Sequence, residues 1–71
     1  MFGDETGTLK MLRPFELHGI TMWDVAVAFE GGRIEEARLG PEGVAGGLTV
    51  GDRVLVRKAA MMIIGVEPAA E

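Results

Sequence analysis

The 71-residue chain contains no Cys, Ser, Asn, Gln or Tyr. Without cysteine it can form neither disulfides nor thiolate metal sites. The missing serine and cysteine also remove the two commonest side-chain nucleophiles, leaving four threonines as the only hydroxyls. Histidine is almost absent too: His18 stands alone, with Glu16 as its only near acidic neighbour, and a metal centre wants three or four ligands. His18 therefore reads as a surface residue, and no metal or other cofactor is expected. Positive charge is scarce, with seven Lys/Arg against eleven Asp/Glu and a net charge of −4. An acidic chain repels phosphate backbones at long range, which ranks nucleic-acid binding below other functions. The longest uncharged apolar run, Ala59 to Val66, is far short of the roughly 20 residues that span a bilayer. The opening MFGDETGT is acidic and lacks the basic and apolar regions of a secretory signal. A cytoplasmic protein is the expectation. The lack of Asn, Gln and Cys further suits a thermophile.

What is present is apolar. Hydrophobic residues make up 48% and charged residues 25%, a globular composition on a chain long enough for one domain only. At this size a single core is marginal, and without disulfides or metal the remaining common support is association, so a homo-oligomer is expected.

The strongest local pattern is WDVAVAFEGGRIEEARL. Trp23, Val25, Val27 and Phe29 alternate with Asp24, Ala26, Ala28 and Glu30, the period of a half-buried strand. Gly31-Gly32 can supply the positive φ of a two-residue hairpin turn. In that simple register Val27 would face Glu36 and Val25 would face Arg38. Bringing Ala37 and Leu39 onto the apolar face requires an extra residue, so a bulge near Glu35-Glu36 is predicted.

Further along, GPEGVAGG (40–47) reads as a loop with room for one helical turn, and Val50-Gly51-Asp52 as a turn. Arg53 to Arg57 is a strand with Val54 and Val56 on one face. Ala59-Ala60 is the next reversal, and Met61 to Val66 a strand covered on both faces or at an interface. Ahead of the hairpin, Thr8–Leu12 and Phe15–Ile20 read as short strands separated by Arg13-Pro14. Residues 1–7 and 67–71 read as flexible tails. Short strands with Gly-rich turns argue for an all-β single domain, a small five-stranded barrel of OB- or SH3-like type.

Catalytic chemistry finds no foothold. Glu35 and Glu36 are neighbours on a strand and point to opposite faces, so they cannot act as a carboxylate pair. No catalytic residue is assigned, and the chain reads as non-enzymatic. Arg53, Arg57 and Lys58 form the one basic cluster. Arg57 and Lys58 beside the Val50–Asp52 turn could bind a small oxyanion, or they could pair with Glu35, Glu36 or Asp52 across strands. Met22, Met61, Met62, Ile63 and Ile64 exceed what so small a core can cover, which marks the Met/Ile strand as an interface; Trp23 and Phe29 read as core, with the Trp23 region as the other docking candidate.

VAVAFEGG, then LTVGDRVLV, then KAAMMII resembles the TOBE/Mop-type small β-barrel over Val25 to Val66. The resemblance implies an oligomeric barrel that holds oxyanions such as molybdate or tungstate between subunits, with Lys58 on a matching anion-site position. The family's Ser-Ala-Arg-Asn opening and its hydroxyl-bearing loop have no counterparts here. Val-Gly-Asp-x-Val-Leu-Val also resembles the barrel of HypC-type hydrogenase-maturation chaperones, although their N-terminal cysteine is missing. Three functions remain open from the sequence: oxyanion-binding module, accessory barrel docking on a partner protein, and, last, nucleic-acid-binding barrel.

Overall fold

The computed structural model describes residues 2–69, and Met1, Ala70 and Glu71 lie outside them. Five strands run in order: β1 Phe2–Leu17, β2 Ile20–Ala28, β3 Ile34–Leu39, β4 Arg53–Ala59 and β5 Met62–Pro68. They form one antiparallel sheet in the order β3-β2-β1-β4-β5, with no α-helix among the described residues. The all-β class and the number of strands are therefore as expected, while the bounds of the strands ahead of Trp23 are not. The sheet is not closed, because β3 and β5 are its two edges.

β1 is the strand around which the rest is arranged. Its first half pairs with β4 (Phe2↔Ala59 to Thr8↔Arg53) and its second half with β2 (Thr8↔Ala28 to Leu17↔Ile20). The expected tail at 1–7 is thus strand from Phe2 onward. The break expected at Arg13-Pro14 is absent as well. The Phe29 N–H donates to the Arg33 carbonyl, so odd-numbered β2 residues turn their backbone groups toward β3. Trp23, opposite Pro14, consequently leaves Pro14 unbonded, and the proline nitrogen faces an open edge where no donor is missed. The expected strand Phe15–Ile20 is instead two strand ends joined by a turn at His18 (φ 51°) and Gly19 (φ 81°).

The β2–β3 hairpin is where expected, but its turn is longer. Phe29 and Arg33 are bonded across Glu30, Gly31 and Gly32, and both glycines hold positive φ. That extra turn residue shifts the register so that Ala37 faces Val25 and Leu39 faces Trp23. No bulge is needed near Glu35-Glu36, and none occurs. Bulges sit elsewhere, at Lys10 in β1 and at Ile64 in β5.

The expected loop after β3 carries a 3-10 turn at Pro41–Gly43 and then bridges to β5 in parallel at Val44↔Val66. The turn at Val50–Asp52 is stitched to β1, with Leu9 N–H donating to the Asp52 carbonyl and Gly51 N–H to the Leu9 carbonyl. The last reversal falls one residue later than Ala59-Ala60, at Ala60-Met61.

One core lies on the concave face. Leu9, Val25, Val27, Val54 and Val56 are fully buried and are joined by Phe29, Leu39, Leu48, Ile63 and Val66. Each such side chain contributes about 1.5–3 kcal/mol by leaving water. Leu39 comes from one sheet edge and Ile63 and Val66 from the other, so the sheet curls until its edges share a core.

Candidate functional site

At the end of the sheet holding the β2–β3 and β4–β5 turns, four charged side chains form a ring. Arg33 donates to Glu5 at 2.6 Å and to Glu35 at 2.8 Å. Lys58 Nζ lies 3.0 Å and 3.1 Å from the two Glu35 oxygens and 3.7 Å from Glu5. Beneath the ring sits buried Phe29, with the Arg33 guanidinium 4.6 Å and the Lys58 ammonium 5.3 Å from its centroid. Strand alternation explains the convergence, since Glu5, Glu35 and Lys58 each fall on the inward face of their strand. The hydrogen bond from Lys58, followed by that from Arg33, holds the Glu35 carboxyl below its ordinary range. The Glu5 and Glu35 carboxylates in turn raise the Arg33 guanidinium. Charges in the ring cancel, and a carboxylate engaged by two cations is a poor proton acceptor.

Lys58 is therefore placed inside this ring and only 17% exposed. Its neighbour Arg57 points to the opposite face, where its Nε donates to Glu67 at 2.8 Å. The two candidate anion ligands do not converge, and each already has a carboxylate. Arg53 hydrogen-bonds Thr8 at 3.2 Å. Of the acids weighed as partners for this cluster, Glu35 is engaged; Glu36 is exposed, and Asp52 accepts from the Thr49 N–H. No group of three or more His, Asp or Glu suited to a metal occurs among the described residues.

The candidate interface residues divide. Ile63 is buried in the core, and Trp23 packs half-buried against it. Met61, Met62 and Ile64 are 88%, 69% and 49% exposed. Met61 stands at the tip of the β4–β5 hairpin in a turn where Ala60 (φ 51°) and Met61 (φ 69°) both hold left-handed backbone. Such a conformation costs a non-glycine residue about 1–2 kcal/mol. Beside the tip, a groove of about 350 Å³ runs between Met61–Ile63 and the outer edge of β3 at Glu35–Arg38.

Two features escaped the sequence reading. The sequence offers Glu35 as a partner for Lys58 and sets Arg33 two residues from Glu35, but Glu5 lies too far away for any local pattern to complete the ring. Leu17 and Ile20, flanking His18-Gly19, are also strongly exposed. Their signal was available in Phe15/Leu17 and Ile20/Met22, two short apolar alternations around a glycine-containing pair. No helix among the described residues is long and apolar enough to cross a membrane. Compared with protein-family models, curated proteins and solved structures, the chain matches none.

Proposed function

We propose that the chain is a non-enzymatic interaction module that docks on protein through the Met61, Met62 and Ile64 surface, in the first instance on a second copy of itself. The observation carrying this reading is the β4–β5 turn. Eleven glycines serve this chain, yet a position with φ 69° holds a methionine that is 88% exposed. Backbone strain spent to present an apolar side chain to water is better explained by a contact than by the fold.

The architecture belongs to the same proposal, as a partly open five-stranded barrel of OB/SH3-like type. It is supported by a core shared between the two sheet edges and by the Val44–Val66 bridge beside β5. The TOBE/Mop resemblance fits a barrel of this kind. Its oxyanion function has less support, because an anion would have to displace Glu67 from Arg57 and Glu35 from Lys58. Titration calorimetry with molybdate, tungstate, sulfate and phosphate is accordingly expected to give no heat. Binding abolished by Lys58→Ala would restore the oxyanion reading.

Light scattering tests the main proposal. The wild type should have a mass of at least twice the 7.6 kDa of one chain. Met62→Glu should run as the single chain with an unchanged circular-dichroism spectrum. A wild type that stays monomeric at every accessible concentration ends the self-association reading.

A further inference from the structure

β1, β2 and β3 turn their other face outward, on the side away from the core. Strand pairing arranges that face in cross-strand rows. Beginning near the β1–β2 turn, Phe15 stands beside Met22, and Arg13 stands beside Asp24 and Arg38. Met11 then stands beside Ala26 and Glu36, and Thr8 beside Ala28 and Ile34. The two outer rows are largely apolar, and Ile34 is 59% exposed. The two middle rows carry the charge. Arg38 donates to Asp24 at 2.9 Å and lies 4.5 Å over the Phe15 ring. Arg13 and Glu36 are exposed and take part in no ion pair among the described residues. With two arginines against one aspartate, the first middle row is net positive; Glu36 makes the second net negative.

A face laid out in this way is complementary to itself. Two copies stacked face to face are related by a two-fold axis lying between their sheets, so each row can meet the copy of another. An axis across the strands, midway between the middle rows, exchanges those rows. Arg13, Asp24 and Arg38 of one copy then face Met11, Ala26 and Glu36 of the other, twice over. The apolar outer rows likewise face each other. An axis along the strands would instead lay each row on itself, with Asp24 against Asp24 and Arg13 against Arg38. Both contacts join like charges, which is costly. Charge therefore selects the first arrangement. The relief of the face suits it as well. A hollow of about 490 Å³ opens between Met11, Arg13, Glu36 and Arg38, and the axis sets the Asp24–Arg38 pair of the second copy over it.

We propose that this outer face docks on the same face of a second copy, the positive row of each against the negative row of the other. Three strands about 4.8 Å apart and four rows about 6.8 Å apart give a footprint of about 400 Å² on each copy. That is the size of a transient contact, absent at the micromolar concentrations of light scattering and formed at millimolar ones. The proposal does not rest on the Met61 surface, which belongs to the β4–β5 hairpin. Where both contacts form, each chain holds two partners.

The test is NMR of the ¹⁵N-labelled full chain carrying Met62→Glu, which removes the other contact, diluted from about 2 mM to about 0.05 mM. Amides whose shifts depend on concentration should map to Met11–Ala28 and Ile34–Arg38, and molar salt should suppress the change. Arg13→Glu reverses the sign of the first middle row, and Glu36→Arg reverses the second. Each variant alone then opposes like charges and should lose at least about tenfold in affinity. An equimolar mixture of the two should recover the parent's affinity, because every reversed row meets its opposite. The dilute spectrum of each variant checks its fold, and the shift map and salt response of the parent decide the matter if either is misfolded. Shifts independent of concentration up to about 2 mM overturn the proposal. Changes on another surface, or a mixture that associates no better than its separate components, also overturn it.

Discussion

Two hairpins in this molecule close with the same backbone and different residues. His18-Gly19 joins β1 to β2 at φ 51° and 81°, and Ala60-Met61 joins β4 to β5 at φ 51° and 69°. The first has glycine in its second position, where left-handed backbone costs nothing steric. The second has methionine there. Their surroundings differ as well. Ala59 and Lys58, just before the second turn, pair with Phe2 and Gly3 of β1, and Lys58 is also held by Glu35. The first hairpin has no further strand paired to it on either side from Phe15 to Met22. A strained turn persists where the surrounding structure over-determines it. A free hairpin depends on a turn that forms by itself.

Breaking the crossing of β1 between β4 and β2, which lies between the two hairpins, should produce the largest effect. Gly7 lies where β1 passes from β4 to β2, and a Cβ there would stand 2.5 Å from Val27 Cγ1 and 2.8 Å from the Ala28 carbonyl oxygen. The second contact is backbone and cannot rotate away. Gly7→Val should cost about 3 kcal/mol, read from the urea midpoint. Gly19→Val meets no atoms but must hold φ +81°, so about 1–2 kcal/mol is expected. The reverse ranking would mean that the turn matters more than the crossing.

The same contrast governs what could be read from sequence. Trp23 to Phe29 was legible because both faces of a long, regular strand obey one period. The register of β3 was legible in outcome and not in cause, since Gly31-Gly32 does not announce that Glu30 joins the turn. Both bulges left a trace. Leu9 and Leu12 both face the core, as do Ile63 and Val66, and a spacing of three is impossible in an unbulged strand. Pro14 misled because an edge proline and a strand-breaking proline look alike until the neighbours are known. The ring of Glu5, Arg33, Glu35 and Lys58 depends wholly on pairing among β1, β3 and β4, so no window of sequence contains it.

That ring supplies the next prediction, at the clamped end. Glu35 titrates below its ordinary value of about 4.3 because Lys58 and Arg33 favour the carboxylate. A depressed folded value adds stability that is complete above the unfolded value and is lost as pH falls through the folded one. At pH 7 Glu35→Gln should therefore be less stable than wild type by about 0.5–1 kcal/mol, the scale of a partly exposed pair. In acid, once Glu35 is protonated in the wild type, the gap should close. Molar salt should narrow it at neutral pH. A gap that is the same at pH 7 and in strong acid would show that Glu35 acts through packing and not charge.

Relieving the strained turn gives a smaller effect of opposite sign. Met61→Gly removes about 1–2 kcal/mol of backbone strain and returns about 0.5–1 kcal/mol through the greater freedom of glycine when unfolded. A net gain of about 0.5 kcal/mol, or about 3 °C in Tm, is expected. The same substitution should weaken self-association, because it deletes an apolar side chain that is 88% exposed. Gains in stability and losses in assembly from one residue are what separate a docking tip from a poorly made turn.

The free arm should yield the smallest stability change of all. Leu17→Thr with Ile20→Thr keeps residues suited to strands and alters side chains that are about half exposed and lie outside the core. The change in unfolding free energy should stay within about 0.5 kcal/mol for each substitution, with the urea m-value unchanged. A loss well above that would mean that Leu17 and Ile20 already bury their surface within the chain, and that the arm lies against the body. Amide exchange separates the two cases. A free arm exchanges at residues 15–22 by local fraying, far faster than β1 beside β4, and the double variant leaves that difference untouched. Protection of the arm equal to that of Val25 and Val27 would remove the contrast between the two hairpins.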